Sequence, residues 1–225
     1  MSAKVLRRRA LMLSRSPNDV ERAREVALLA LAEAEREGSP DEIARTLDLV
    51  GHVFCVNGDT TSQTDALAFQ LRGLEIGRVL ADLSVEELEE RVERAALNAE
   101  ALGKRDLAVE LLGDSLQRQR AAKKELSLAT LSGVVHNLVA LGRPAEALSL
   151  CDEWAGVEAA ASPGRPVLLP RYYRARCLWL LGRLLEAEKE LIALVEDAER
   201  SGHPRTAAEG RALLDDVMRG PARGT

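Results

Sequence analysis

Leu-Gly followed by Ala five residues after the glycine occurs three times at near-constant spacing: Leu102-Gly103-Ala108, Leu141-Gly142-Ala147 and Leu181-Gly182-Ala187. The glycines stand 39 and then 40 residues apart. Self-similarity at a fixed period of this size points to stacked supersecondary units, each too small to bury its own apolar face. Residues between the glycines carry apolar side chains spaced by three and four, so each unit reads as a helical hairpin. Composition agrees. Hydrophobic residues make up 46 % of the chain and aromatics 3 %, a balance rich in helix formers and poor in the aromatic residues that strands favour.

Helix boundaries follow from punctuation. Ser16-Pro17-Asn18-Asp19 and Ser39-Pro40-Asp41-Glu42 each place a cap before a proline at the first helical position, the second as a capping box. Ser84-Val85-Glu86-Glu87 is another capping box. The resulting reading is all-α, with helices over residues 3–13, 17–37, 40–56, 65–81, 84–102, 104–122, 124–141, 144–160, 170–181, 183–201 and 205–219. It describes a solenoid of about five antiparallel hairpins plus a C-terminal capping helix, one domain over 1–219, with a disordered tail at 220–225. Gly58 reads as the hairpin glycine of an earlier repeat. Asp59 to Thr64 then form a polar turn with a three-residue insertion before Ala66. Gly73 and Gly77, inside one helix, mark close helix packing. The segment 161–166, with two prolines and a glycine, is a long loop between repeats, since the glycine period carries across it.

The net charge is −5, so a general nucleic-acid surface is not expected and DNA contact would rest on Arg7, Arg8 and Arg9. No apolar run approaches the roughly 18 residues of a membrane span. Three cysteines, Cys55, Cys151 and Cys177, form no close pair in sequence and fit a reducing, cytoplasmic setting rather than a disulfide framework. The basic start reads as a first helix with a basic outer face, an organelle transit peptide being the alternative.

With each hairpin glycine at the turn position, the chain resembles the tetratricopeptide repeat (TPR). The family's small residue before the turn falls on Gly51, Ala96, Val135 and Ala175, and its large residue on Phe54, Ala99, Leu138 and Leu178. Its small residue after the turn falls on Ala66, Ala108, Ala147 and Ala187. Val135, Ala99 and the 39–40-residue period depart from the family pattern; longer periods resemble the arrays of bacterial regulators. The resemblance covers about residues 17–202. It implies a right-handed solenoid with a concave surface, lined by the first helix of each hairpin, that binds a protein, a peptide or a ligand.

On that register the inward positions are Arg45, Asp48, His52 and Cys55; Glu90, Glu93, Leu97 and Glu100; Ser132, His136 and Val139; and Leu169, Tyr172, Arg176 and Trp179. Tyr172, Arg176 and Trp179 share a helix face and are of types enriched in binding hot spots. The alternative is that Tyr172 and Trp179 pack in the core beneath the last helix, with Tyr173 and Arg174 at the surface if the register shifts by one. Glu90, Glu93 and Glu100 form either an acidic patch or a solvated face. His52 and Cys55 make an incomplete metal site, so neither metal nor cofactor is expected. No phosphate loop or catalytic constellation is present. The expected function is a non-enzymatic scaffold for a protein or peptide partner. The alternative is a ligand-sensing regulatory module of a transcriptional regulator that binds a small molecule in a solenoid pocket. A solenoid end without a polar cap leaves a homodimer open.

Overall fold

In the computed structural model, residues 1–56, 59–80 and 84–219 are described. Among them are eleven α-helices and no strand. By internal contacts the chain forms two compact units, Met1–Leu111 and Leu112–Thr225, and the boundary falls within one helix.

The first unit holds α1 (Ala3–Leu13), α2 (Val20–Glu37), α3 (Pro40–Cys55), α4 (Thr60–Arg78), α5 (Val85–Ala101) and the start of α6 (Arg105–Ala121). Consecutive helices pack on one another from α1 to α5, and α1 also touches α3. Ala23, Val26, Ala27 and Leu31 of α2 form the core with Ala10 of α1 and Leu47, Val50 and Val53 of α3. Their three- and four-residue spacing is the stripe that makes these helices amphipathic.

Ser84 and Glu87 complete a capping box, with bonds of 3.1 and 3.3 Å in the two directions. The other two expected starts differ. Ser39 accepts from the Glu42 amide, but the Glu42 carboxylate does not return; it pairs with Arg7 of α1 at 2.8 Å. Residues 17–19 form a separate 3-10 turn, and Ser16 makes no side-chain cap. The polar stretch after Asp59 is helical, not a loop: Asp59 accepts from the Ser62 amide at 2.8 Å and α4 begins at Thr60. Gly58 itself lies outside the described residues.

The second unit continues α6 and adds α7 (Leu128–Ala140), α8 (Pro144–Ala161), α9 (Leu169–Leu180), α10 (Leu184–Arg200) and α11 (Pro204–Arg219). Leu178, Leu191, Leu194, Ala198 and Leu213 centre its core. Helix α7 starts four residues later than the spacing predicts. Lys123 ends α6 in the left-handed region at φ 53° and Ser127 caps α7, while Gln119 accepts from the Ser127 amide at 2.9 Å. The 162–167 segment is non-helical, as its prolines require.

The repeated glycines have a common geometry. Gly103, Gly142 and Gly182 all take φ near 70°, from 71° to 74°, where a Cβ would be strained. In each turn the glycine amide and the next amide bond back to the helix, Gly142 to Val139 at 3.1 Å and Arg143 to Leu138 at 2.9 Å. This pair of bonds satisfies carbonyls the helix end would otherwise leave open. The small positions after the turn, Ala66, Ala108, Ala147 and Ala187, are all fully buried, as are Val135 and Ala175 before it. At Gly51 a Cβ would lie 2.6 Å from Gln70 Cγ and 3.1 Å from the Ala66 carbonyl. At Gly73 it would lie 3.3 Å from Leu47 Cβ. Both glycines let α3 and α4 approach closely.

Candidate functional site

The expected contact residues sit on α3, α5, α7 and α9, the first helices of their hairpins, and two different surfaces result.

In the first unit, α3 and α5 are joined by charge. Asp48 accepts two bonds from Arg94, at 3.0 and 2.8 Å. Arg45 is held by both Asp41 oxygens at 2.9 Å and reaches Glu87 at 3.7 Å. Glu90 lies 3.9 Å from Arg94, and Glu100 lies 3.9 Å from Arg105. Glu90 and Glu100 of α5 therefore stand near arginines, and Arg91 of the same helix is buried, with its guanidinium pKa lowered by burial. Glu93 is half-buried, Leu97 and His52 are exposed, and Cys55 is half-buried, its thiol pushed up by burial. Beside α3, Lys4, Arg7, Arg8 and Leu11 of α1 line a shallow cleft of about 240 Å³ with Arg45 and Leu49. Because α1 precedes the first recognisable repeat, the repeat pattern carries no signal for this cleft.

In the second unit, α7 and α9 are joined by rings. His136 Nδ1 lies 2.8 Å from the Tyr173 hydroxyl, and the two rings meet edge to face at 6.0 Å. Tyr173 also stacks near Trp154 of α8 at 5.9 Å and against Tyr172 at 5.6 Å. Tyr172 and Trp179 are half-buried and pack on the α9–α11 core. Arg176, between them on the same face, is half-buried, and no carboxylate lies within ion-pair reach among the described residues. The other arginines of α9 are satisfied. Arg171 binds Glu190 at 2.8 Å and Asp197 at 2.7 Å, and Arg174 binds Asp152 at 2.9 Å and Glu190 at 3.1 Å. Arg171 holds the Asp197 carboxyl below its ordinary range.

Three other expected positions resolve individually. Val139 is a core residue at 5 % exposure, and the Ser132 hydroxyl donates to the Ala129 carbonyl within its own helix. Leu169 is exposed and lines a cleft of about 720 Å³ with Arg165, Ser201, His203 and Thr206 between the 162–167 loop and the start of α11. Burial raises the pKa of Glu158 at its edge. Among the described residues no three metal-ligating side chains come together, and no helix is long and apolar enough to cross a membrane.

No protein-family model and no curated sequence matches the chain. Solved structures do. A putative kinesin light chain with nearly identical TPR-like repeats, from Podosopora anserina, aligns at a TM-score of 0.67 and 16 % identity, over 88 % of this chain and 95 % of that one. BtubC (BKLC) from P. vanneervenii aligns at 0.52 and 13 % identity, over 92 % of this chain and 96 % of that one. The chain has the fold of a TPR-like helical-repeat protein.

Proposed function

We propose that the protein is a non-enzymatic scaffold that captures a protein or peptide partner on the first helices of its hairpins, with Tyr172, Arg176 and Trp179 at the centre. The observation that carries this reading is Arg176. A half-buried guanidinium flanked by two aromatic side chains, with no carboxylate of its own, is equipped to take one from a partner. His136 and Tyr173 brace the same helix from behind. Arg45, Asp48, Glu90 and Glu93 have a lesser part, since each already holds partners within the unit, and exposed His52 adds a polar contact. Helical-repeat surfaces that share this fold serve as such platforms.

The test is affinity capture from source lysate with three forms: native, Arg176→Glu and Lys189→Glu, the last on the exposed face of α10. A protein retained by the native and Lys189→Glu forms but lost with Arg176→Glu supports the reading. Equal retention by all three contradicts it.

The 720 Å³ cleft favours a second reading, a small-molecule sensor. It gathers Arg165, His203, Ser201 and Thr206 at the start of α11, a donor set suited to an anion. A thermal-shift panel of carboxylates and phosphate esters tests it. A ligand that stabilises the native protein but not Arg165→Ala would favour the sensor.

A further inference from the structure

Cys151 of α8 and Cys177 of α9 are 26 positions apart in sequence, yet the fold sets them opposite one another. Antiparallel pairing of the two helices brings Trp154 to Tyr173, with ring centroids at 5.9 Å, and Asp152 to Arg174, at 2.9 Å. The position numbers in these pairs sum to nearly the same value, and Cys151 with Cys177 falls in the same ladder. Both thiols are free and neither is exposed. Both lie in the buried α8–α9 seam.

We propose that Cys151 and Cys177 are a peroxide-oxidisable pair that closes into a disulfide linking α8 to α9, and hence the fourth hairpin to the fifth. A buried thiol is usually inert, but this pair is asymmetric. Arg176 stands next to Cys177 in the chain and Asp152 next to Cys151. The Cys177 pKa is lowered by its neighbour Cys151 and by the Arg176 charge against burial, whereas that of Cys151 is pushed up by Cys177 first, then by burial, with the Asp152 charge adding to the rise. Cys177 is therefore the attacking thiolate and Cys151 the resolving thiol.

The chemistry balances with one peroxide. The Cys177 thiolate attacks a peroxide oxygen, the O–O bond breaks, and hydroxide leaves with the proton lost by Cys177, giving a sulfenic acid and water. The Cys151 sulfur then attacks the sulfenic sulfur. The S–S bond forms, the S–O bond breaks, and the Cys151 proton leaves with the hydroxide as a second water. Full burial restricts the oxidant to one of water-like size, admitted by local opening of α9. Cys55, half-buried on α3, is an internal control.

The experiment treats the full folded chain with hydrogen peroxide, then maps it by non-reducing peptide mass spectrometry after N-ethylmaleimide block. The expected product is a peptide carrying Cys151 joined to one carrying Cys177, two hydrogens lighter than their sum and released by dithiothreitol. In Cys151→Ser, checked for native circular dichroism, a dimedone adduct should appear on Cys177. In Cys177→Ser, Cys151 should take up at least fivefold less. A treated protein in which both thiols stay fully maleimide-reactive after unfolding overturns the proposal, as does a linkage of either one to Cys55. Because the native sequence alone gives the linked peptide, a variant that fails to fold leaves the test intact.

Discussion

Helices α3 and α5 of the first unit and α7 and α9 of the second occupy equivalent places in their hairpins, yet they are fastened differently. Paired charges, Asp48 with Arg94 and Arg45 with Glu87, join the first two. Rings, His136 with Tyr173 and Trp154 behind them, join the second two. Partly exposed ion pairs add little stability, because water already solvates both ends and two long side chains must be ordered. Aromatic contacts shed water and keep their value at high salt. The first unit thus keeps its charges occupied at its surface and relies on the close approach of α3 to α4. The second unit relies on its rings, which leaves Arg176 available.

The largest break in this contrast should come from Tyr173→Ala. Three ring contacts and a hydrogen bond disappear, and thermal unfolding should show a loss of about 3 kcal/mol. Next is Gly51→Ala, where the new methyl must displace Gln70 from 2.6 Å. Overpacking of this kind should cost about 2 kcal/mol by urea denaturation, whereas Gly156→Ala, with open space around it, should be neutral or slightly stabilising. Tyr173→Phe keeps the ring and removes the bond to His136, so about 1 kcal/mol should be lost. The smallest effect belongs to the ion pair. A double-mutant cycle on Asp48→Asn and Arg94→Gln should give a coupling below about 1 kcal/mol that fades in 1 M salt. A coupling above that of Tyr173 with His136 would reverse the comparison.

How far the sequence could be read depends on where each signal resides. Turn glycines and buried alanines are local chemistry: a left-handed φ demands Gly142, and close helix packing demands Ala147, whatever else surrounds them. Starts set by a capping side chain were legible only when the cap was distinctive. Ser84 was; Asp59 and Ser127, in polar stretches that also suit a turn, were not. The site was less legible, since a shared helix face does not state which way it points. Tyr172 and Trp179 have the spacing of a hot spot and also of a core stripe, and in the fold they pack on the core while Arg176 between them has no carboxylate in ion-pair reach among the described residues. Arg171 and Arg174 find partners 16 to 26 residues away, a separation that helical periodicity does not encode.

The most direct test of the interaction surface is photo-crosslinking from two positions, with a benzophenone amino acid placed at exposed Leu169, beside Tyr172 and Arg176 on α9, or at Lys189 and irradiated in source lysate. The account predicts one discrete adduct from position 169 and none of that mass from position 189. The same adduct from both positions, or from 189 alone, would contradict it, because the partner would then lie on the second helix of the hairpin rather than the first.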